Sequence, residues 1–167
     1  MAPRVVELVV NGTQRTFLVR PGTSLLSALR DTLGLTAAKR GCDVGSCGSC
    51  TVLLDGKPVM SCLVPVETVD GSAVRTLEGI TLEGGALSDV QAAFLEGFAT
   101  QCGFCTPGMI VAAEALLAEN PNPTRDDVVR AISGNVCRCT GYTSIIDAVL
   151  DAAARRRESA AAPPVAS

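Results

Sequence analysis

The chain opens on a strict alternation. Val6, Leu8 and Val10 share one face while Val5, Glu7 and Val9 share the other, the signature of a β-strand. Asn11-Gly12 then supplies the residues a tight hairpin needs, and residues 14–19 return as a second strand with Phe17 and Val19 on one face. Pro21-Gly22 breaks the run. Thr23 or Ser24 can cap a short helix in which Leu26, Leu29 and Leu33 recur at helical spacing, with Gly34 placed as its C-terminal cap. A glycine-rich loop from Gly41 to Cys50 leads into a strand at 51–54, and Asp55-Gly56 turns it back toward 59–64.

The period changes at Ser88. Ser88 and Gln91 have the spacing of a capping box, followed by Val90, Phe94, Leu95 and Phe98 along one helical face. Thr106-Pro107 reads as an N-cap with proline at the first helical position, and Met109, Ile110, Ala113, Leu116 and Leu117 follow at helical spacing. Pro121 and Pro123 end that helix. Thr124 with Asp127 opens a third, carrying Val128, Val129 and Ile132; Ser144 with Asp147 opens a fourth, carrying Ile146, Val149, Leu150 and Ala153. These elements predict an α+β protein. A small mixed sheet with a helix across it occupies residues 1–76, a glycine-rich linker 77–87, a four-helix bundle 88–155 and a flexible tail 156–167.

Composition narrows the function classes. A net charge of −3 with no basic stripe argues against nucleic acid, and the chain has no apolar run of 18 residues that would span a membrane. The N-terminus lacks a basic segment followed by an uninterrupted apolar stretch, because Glu7 intervenes, so a cytoplasmic protein is expected. Histidine is absent, which removes imidazole as metal ligand or general base. Arg155 to Arg157 fit the C-terminus of the last helix, where positive charge is favourable.

That leaves the eight cysteines, which form two groups of four. Cys42, Cys47, Cys50 and Cys62 are spaced C-x4-C-x2-C-x11-C, and the leading part is the spacing of plant-type [2Fe–2S] ferredoxins. Three thiolates reaching two irons from one short loop need tight turns and close backbone approach, which Gly41, Gly45 and Gly48 provide. Cys102, Cys105, Cys137 and Cys139 are spaced C-x2-C-x31-C-x1-C, with both pairs just ahead of predicted helix starts, whose partial positive charge favours an anionic centre. Disulfides fit poorly in a chain with no export signal. Structural zinc on four cysteines is the serious competitor, although C-x-C makes a poor zinc half-site.

At these residues the sequence resembles the small iron–sulfur subunits of the molybdenum hydroxylases, the xanthine dehydrogenase and aldehyde oxidoreductase family. The matching stretches are GCDVGSCGSCTV (41–52), QCGFCTPGM (101–109) and NVCRCTGY (135–142), within a resemblance spanning about residues 4–154. It implies an N-terminal plant-ferredoxin-like β-grasp domain followed by a four-helix bundle domain, each with one [2Fe–2S] cluster. It also implies a relay, from molybdopterin, in its cytosine dinucleotide form, on a large subunit, through both clusters, to FAD on a medium subunit, within a dimer of heterotrimers. Cys102, Cys105, Cys137 and Cys139 would hold the molybdenum-proximal cluster, with Gln101 hydrogen-bonding the pterin and Cys139 nearest its amino group. This chain departs from the family in Ala37-Ala38 before Lys39 and in Ser49 between two ligands; neither change touches a cysteine. Lys39-Arg40 is read as a solvated loop pair rather than a docking site for the flavin subunit. The alternatives are a free-standing two-cluster ferredoxin, which the mild net charge disfavours, and a zinc-stabilised interaction module.

Overall fold

The alternation at the N-terminus becomes strand β1 (Arg4–Val10), paired antiparallel with β2 (Thr13–Val19) in the computed structural model, which describes residues 2–161. Val6, Leu8 and Val10 are buried, whereas the cross-strand partners Val5 and Leu18 face outward. Asn11 and Gly12 both take positive φ, 51° and 78°, the twist-compatible hairpin turn that Asn-Gly favours. Ser24 caps helix α1 (Leu25–Ser27) by accepting from the Ser27 N–H, and the helix continues as a widened π-helical turn through Thr32. Its leucines, Leu25, Leu26 and Leu29, close over the buried face of the sheet.

Strands β3 (Thr51–Leu54) and β4 (Lys57–Met60) form the second hairpin. Between the hairpins lies β5 (Ala73–Arg75), which the sequence pattern does not announce because three residues are too few to show a period. It runs parallel to β1 and antiparallel to β3, giving the order β2-β1-β5-β3-β4. The N–H groups of Val9 and Asn11 fix it by donating to the Ser72 and Val74 carbonyls at 3.0 and 2.9 Å.

Four α-helices follow among the described residues: α2 (Asp89–Glu96), α3 (Thr106–Glu119), α4 (Arg125–Ile132) and α5 (Thr143–Ala161). The capping boxes at Ser88/Gln91 and Thr124/Asp127 form in full. Two expectations shift. Helix α2 stops at Glu96, Gly97 caps it, and Phe98 turns out at φ 50°, so Leu95 and Phe98 are 64% and 79% exposed while Ala93 joins Val90 and Phe94 inside. Helix α3 begins at Thr106 with Cys105 as its cap, which moves Pro107 to the second position.

The halves are not separate beads. Helix α3 packs across β3 and β4, and Leu53 from the sheet and Ile80 from the linker are buried in the helical core. Nor does a flexible tail begin at 156, because α5 continues to Ala161. Arg156 donates to both carboxylate oxygens of Glu114 at 2.8 Å and to Asp89 at 3.3 Å, and Arg155 pairs with Glu96 at 2.5 Å. Glu114 also accepts from the Ser88 hydroxyl at 3.1 Å, which ties the end of α5 to the start of α2. Residues 162–167 of the expected tail lie outside the described residues.

Arg156→Ala leaves the half-buried Glu114 without its cationic partner, a loss of about 1 kcal/mol. Thermal melting of the intact protein followed by circular dichroism should show Tm lower by about 2–4 °C.

Candidate metal centres

The first cysteine group sits on a loop that the chain holds from both ends. Arg40 pairs with Asp43 at 2.8 Å and Asp31 at 3.5 Å and donates to the Ser27 hydroxyl at 2.8 Å, while Lys39 Nζ donates to the Thr36 carbonyl at 2.8 Å. These two cations shape the loop itself. Positive φ at Asp43, Gly45 and Gly48 curls the backbone so that the N–H groups of Val44 and Ser46 point at Cys42 Sγ, at 3.5 and 3.2 Å. Led by the Val44 N–H, such contacts pull the Cys42 thiol down to about 7. Cys62 lies on the 3-10 turn after β4, where burial, and then the adjoining Cys50 thiol, push it up to about 11. Cys47 is among the neighbours that lower Cys42, and Cys50 is the nearest-acting thiol on Cys62. A Cβ on Gly41 would stand 2.8 Å from Cys47 Sγ, so this position has no room for a side chain.

In the second group Cys139 Sγ lies 3.7 Å from Cys102 Sγ. Two thiolates on one tetrahedral metal with bonds of about 2.3 Å would be separated by roughly 3.8 Å. Cys105 faces Cys137, and burial followed by that neighbour pushes the Cys105 thiol up to about 12. Burial also opposes ionisation of Cys137, but the Thr140 hydroxyl at 3.2 Å and the Cys139 N–H at 3.5 Å outweigh it and lower that thiol. The Cys137 N–H in turn donates to the Tyr142 hydroxyl at 2.9 Å. Only one helix start adjoins this group: Cys105 caps α3, whereas α5 begins four residues beyond Cys139.

Each quartet therefore brings thiols side by side, and among the described residues no three or more His, Cys, Asp or Glu side chains close on a single ion. Two thiols for each of two tetrahedral irons is the donor set of a [2Fe–2S] cluster, so the residues present fit that group at both places. One cleft of about 250 Å³ is lined by Cys42 and Cys47 together with all four cysteines of the second group, with Phe104 and Val136 between them. Gln101 is exposed beside the exposed Cys102, its Nε2 donating to the Phe98 carbonyl at 3.5 Å. Two neighbours of these residues are set by the fold and not by the apolar period: the outward Phe98 and the buried Asn135. The apolar period places Phe98 on a helical face, because a positive φ after a capping glycine leaves no mark on that period.

Residues 8–78 match the family described as 2Fe-2S iron-sulfur cluster binding domain, and residues 76–150 the family described as [2Fe-2S] binding domain. The nicotine 6-hydroxylase small subunit of Paenarthrobacter nicotinovorans is 48% identical over 147 residues, 88% of each chain. The xanthine dehydrogenase iron-sulfur-binding subunit of Escherichia coli is 47% identical over 149 residues, 87% of this chain and 92% of that one. Among solved structures, quinoline 2-oxidoreductase from Pseudomonas putida superposes with a TM-score of 0.89 at 46% identity, over 93% of this chain and 97% of that one. Aldehyde oxidoreductase from Desulfovibrio desulfuricans gives 0.89 at 48% identity over 92% of this chain and 17% of that one, so there the same unit is part of a longer polypeptide.

Gly41→Ala drives a methyl group against Cys47 Sγ. Iron and acid-labile sulfide per chain should fall in the purified variant, with the deficit confined to one of the two centres.

Proposed function

This chain belongs to the [2Fe–2S] iron–sulfur subunits of the xanthine dehydrogenase and aldehyde oxidoreductase family, and from that membership we propose that it relays electrons inside a molybdenum hydroxylase complex. The observation that carries the reading is the pair of quartets, with the Cys102 and Cys139 sulfurs 3.7 Å apart and one cleft lined by Cys42, Cys47 and all four cysteines of the second group. Cys42, Cys47, Cys50 and Cys62 hold one cluster; Cys102, Cys105, Cys137 and Cys139 hold the other. Each cluster, when bound, takes up and passes on one electron at a time.

The surroundings of the two sites support a direction. Cys102 and Cys139 are exposed with the free face of Gln101 next to them and Phe98 projecting nearby, a surface suited to a partner that brings a pterin. Gln101 offers its amide to the pterin and Cys139 stands closest to it, so electrons enter at the second quartet. They leave from the first, where Val44 and Leu63 are 67% and 59% exposed beside the cysteine loop and suit a medium subunit carrying FAD. The partners are a large subunit with the molybdopterin cytosine dinucleotide and that flavin subunit, assembled as a dimer of heterotrimers in the cytoplasm. No helix among the described residues is long and apolar enough to cross a membrane.

Protein purified with its native partners should contain about four iron and four acid-labile sulfide per copy of this chain. It should show two distinguishable EPR signals after reduction and should co-purify with molybdenum and larger subunits. Zinc in place of iron, or the chain recovered alone without molybdenum, would overturn the reading. Cys47→Ala should erase one signal and leave the other. Gln101→Ala should keep both and slow reduction of the complex by its substrate roughly fivefold, the effect of one lost hydrogen bond of about 1 kcal/mol.

A further inference from the structure

Beyond the cysteines themselves, the two quartets are joined by a seam that neither of them needs for ligation. Asn135 stands two residues before Cys137 and is only 5% exposed. Its Nδ2 donates to the Gly48 carbonyl at 2.9 Å and to the Thr51 hydroxyl at 3.2 Å. Gly48 directly follows Cys47 and Thr51 directly follows Cys50, so one side chain from the second cysteine segment grips the first cysteine loop at two places. The Gly48 carbonyl also accepts from the Thr51 N–H at 3.0 Å and the Thr51 hydroxyl at 2.6 Å, giving a buried hydrogen-bond network. Beside it, the Val136 N–H donates to the Cys47 carbonyl at 2.9 Å. Cys47 and Cys137 are thereby linked by a single hydrogen bond and a few covalent bonds.

The seam also has no slack. A Cβ on Gly48 would stand 2.3 Å from the Gly134 carbonyl oxygen, and one on Gly108 would stand 2.4 Å from the Gly48 carbonyl oxygen. Helix α3, the first cysteine loop and the segment before Cys137 therefore meet at the closest distance their backbones allow. Phe104 covers the outer side, its Cε1 atom 3.4 Å from where a Gly41 Cβ would be.

We propose that Asn135 is a positioning residue that fixes the separation of the two quartets and thereby the rate at which an electron crosses between them. Electron transfer through protein falls steeply with distance, so a contact that removes freedom between the donor and acceptor loops acts on the rate without touching iron or substrate. An amide suits the task better than an apolar residue. It must be aligned to satisfy two acceptors at once, and any slip of one loop along the other breaks both bonds. The inference rests on the reading that both quartets hold clusters.

The test uses the intact complex carrying Asn135→Ala, with Thr51→Val as a milder variant that removes the same hydroxyl at nearly constant volume. Iron and sulfide content, the two EPR signals, their low-temperature magnetic splitting, and the lag between reduction of the two centres are measured after rapid mixing with substrate. The expected result is full iron, both signals, a narrowed or lost splitting and a longer lag, larger for Asn135→Ala. Should Asn135→Ala fail to assemble, Thr51→Val carries the comparison. Variants with full iron, unchanged splitting and unchanged lag would overturn the role of Asn135 alone. Wild-type complex without two iron signals would overturn the underlying reading instead.

Discussion

Four thiols must be brought to one place from a backbone that cannot follow them there, and the rest of this structure is arranged around that requirement. A run of cysteines on a helix or strand would point in several directions; only tight loops converge them. In the first group the convergence comes from positive φ at Asp43, Gly45 and Gly48, which also turns the Val44 and Ser46 N–H groups onto Cys42 Sγ. Loops of this kind have no ladder of their own to hold them. The β-sheet, helix α1 and the Arg40 contacts on one side, and α3 with the segment before Cys137 on the other, supply the rigidity that the loops lack.

The electrostatics of the metal-free thiols are mixed. Burial pushes Cys62 and Cys105 up to about 11 and 12, while backbone N–H groups bring Cys42 down to about 7. Thiolate is the form that binds iron, so cluster binding releases protons from these cysteines and contributes to the stability of the loops it occupies. The sheet and the bundle have cores of their own from Leu8, Leu26 and Val66 on one side and Phe94, Met109 and Val149 on the other. Folding of the elements and ordering of the cysteine loops are thus separable contributions to the same native state.

Much of this was legible in the residues because the signals are local. Asn11-Gly12 specifies its turn, Ser88/Gln91 and Thr124/Asp127 specify their caps, and the cysteine spacings group eight residues into two sets without any knowledge of the fold. What escaped is set by partners distant in sequence. Strand β5 exists because Val9 and Asn11 receive it, not because Ala73–Arg75 has a period. Helix α5 extends past residue 155 because Glu114 and Asp89 wait for Arg156. Asn135 reads as one more polar residue before a cysteine until Gly48, 87 positions away, is seen against it.

The asymmetry of the two centres follows from the same packing. In the first group Cys50 is buried beneath the β4 turn, and the end of its loop is held against the segment before Cys137 by Asn135. In the second, Cys102 and Cys139 are exposed, with Gln101 adjacent to Cys102, its amide making a backbone contact at the long distance of 3.5 Å. Exposed thiolate sulfur is open to oxidation and its potential is sensitive to water, so a working centre there calls for a second protein as its cover. An electron-transfer subunit within a larger complex leaves bare the side its neighbour completes, and the bare side here is the one that carries Gln101 and Cys139.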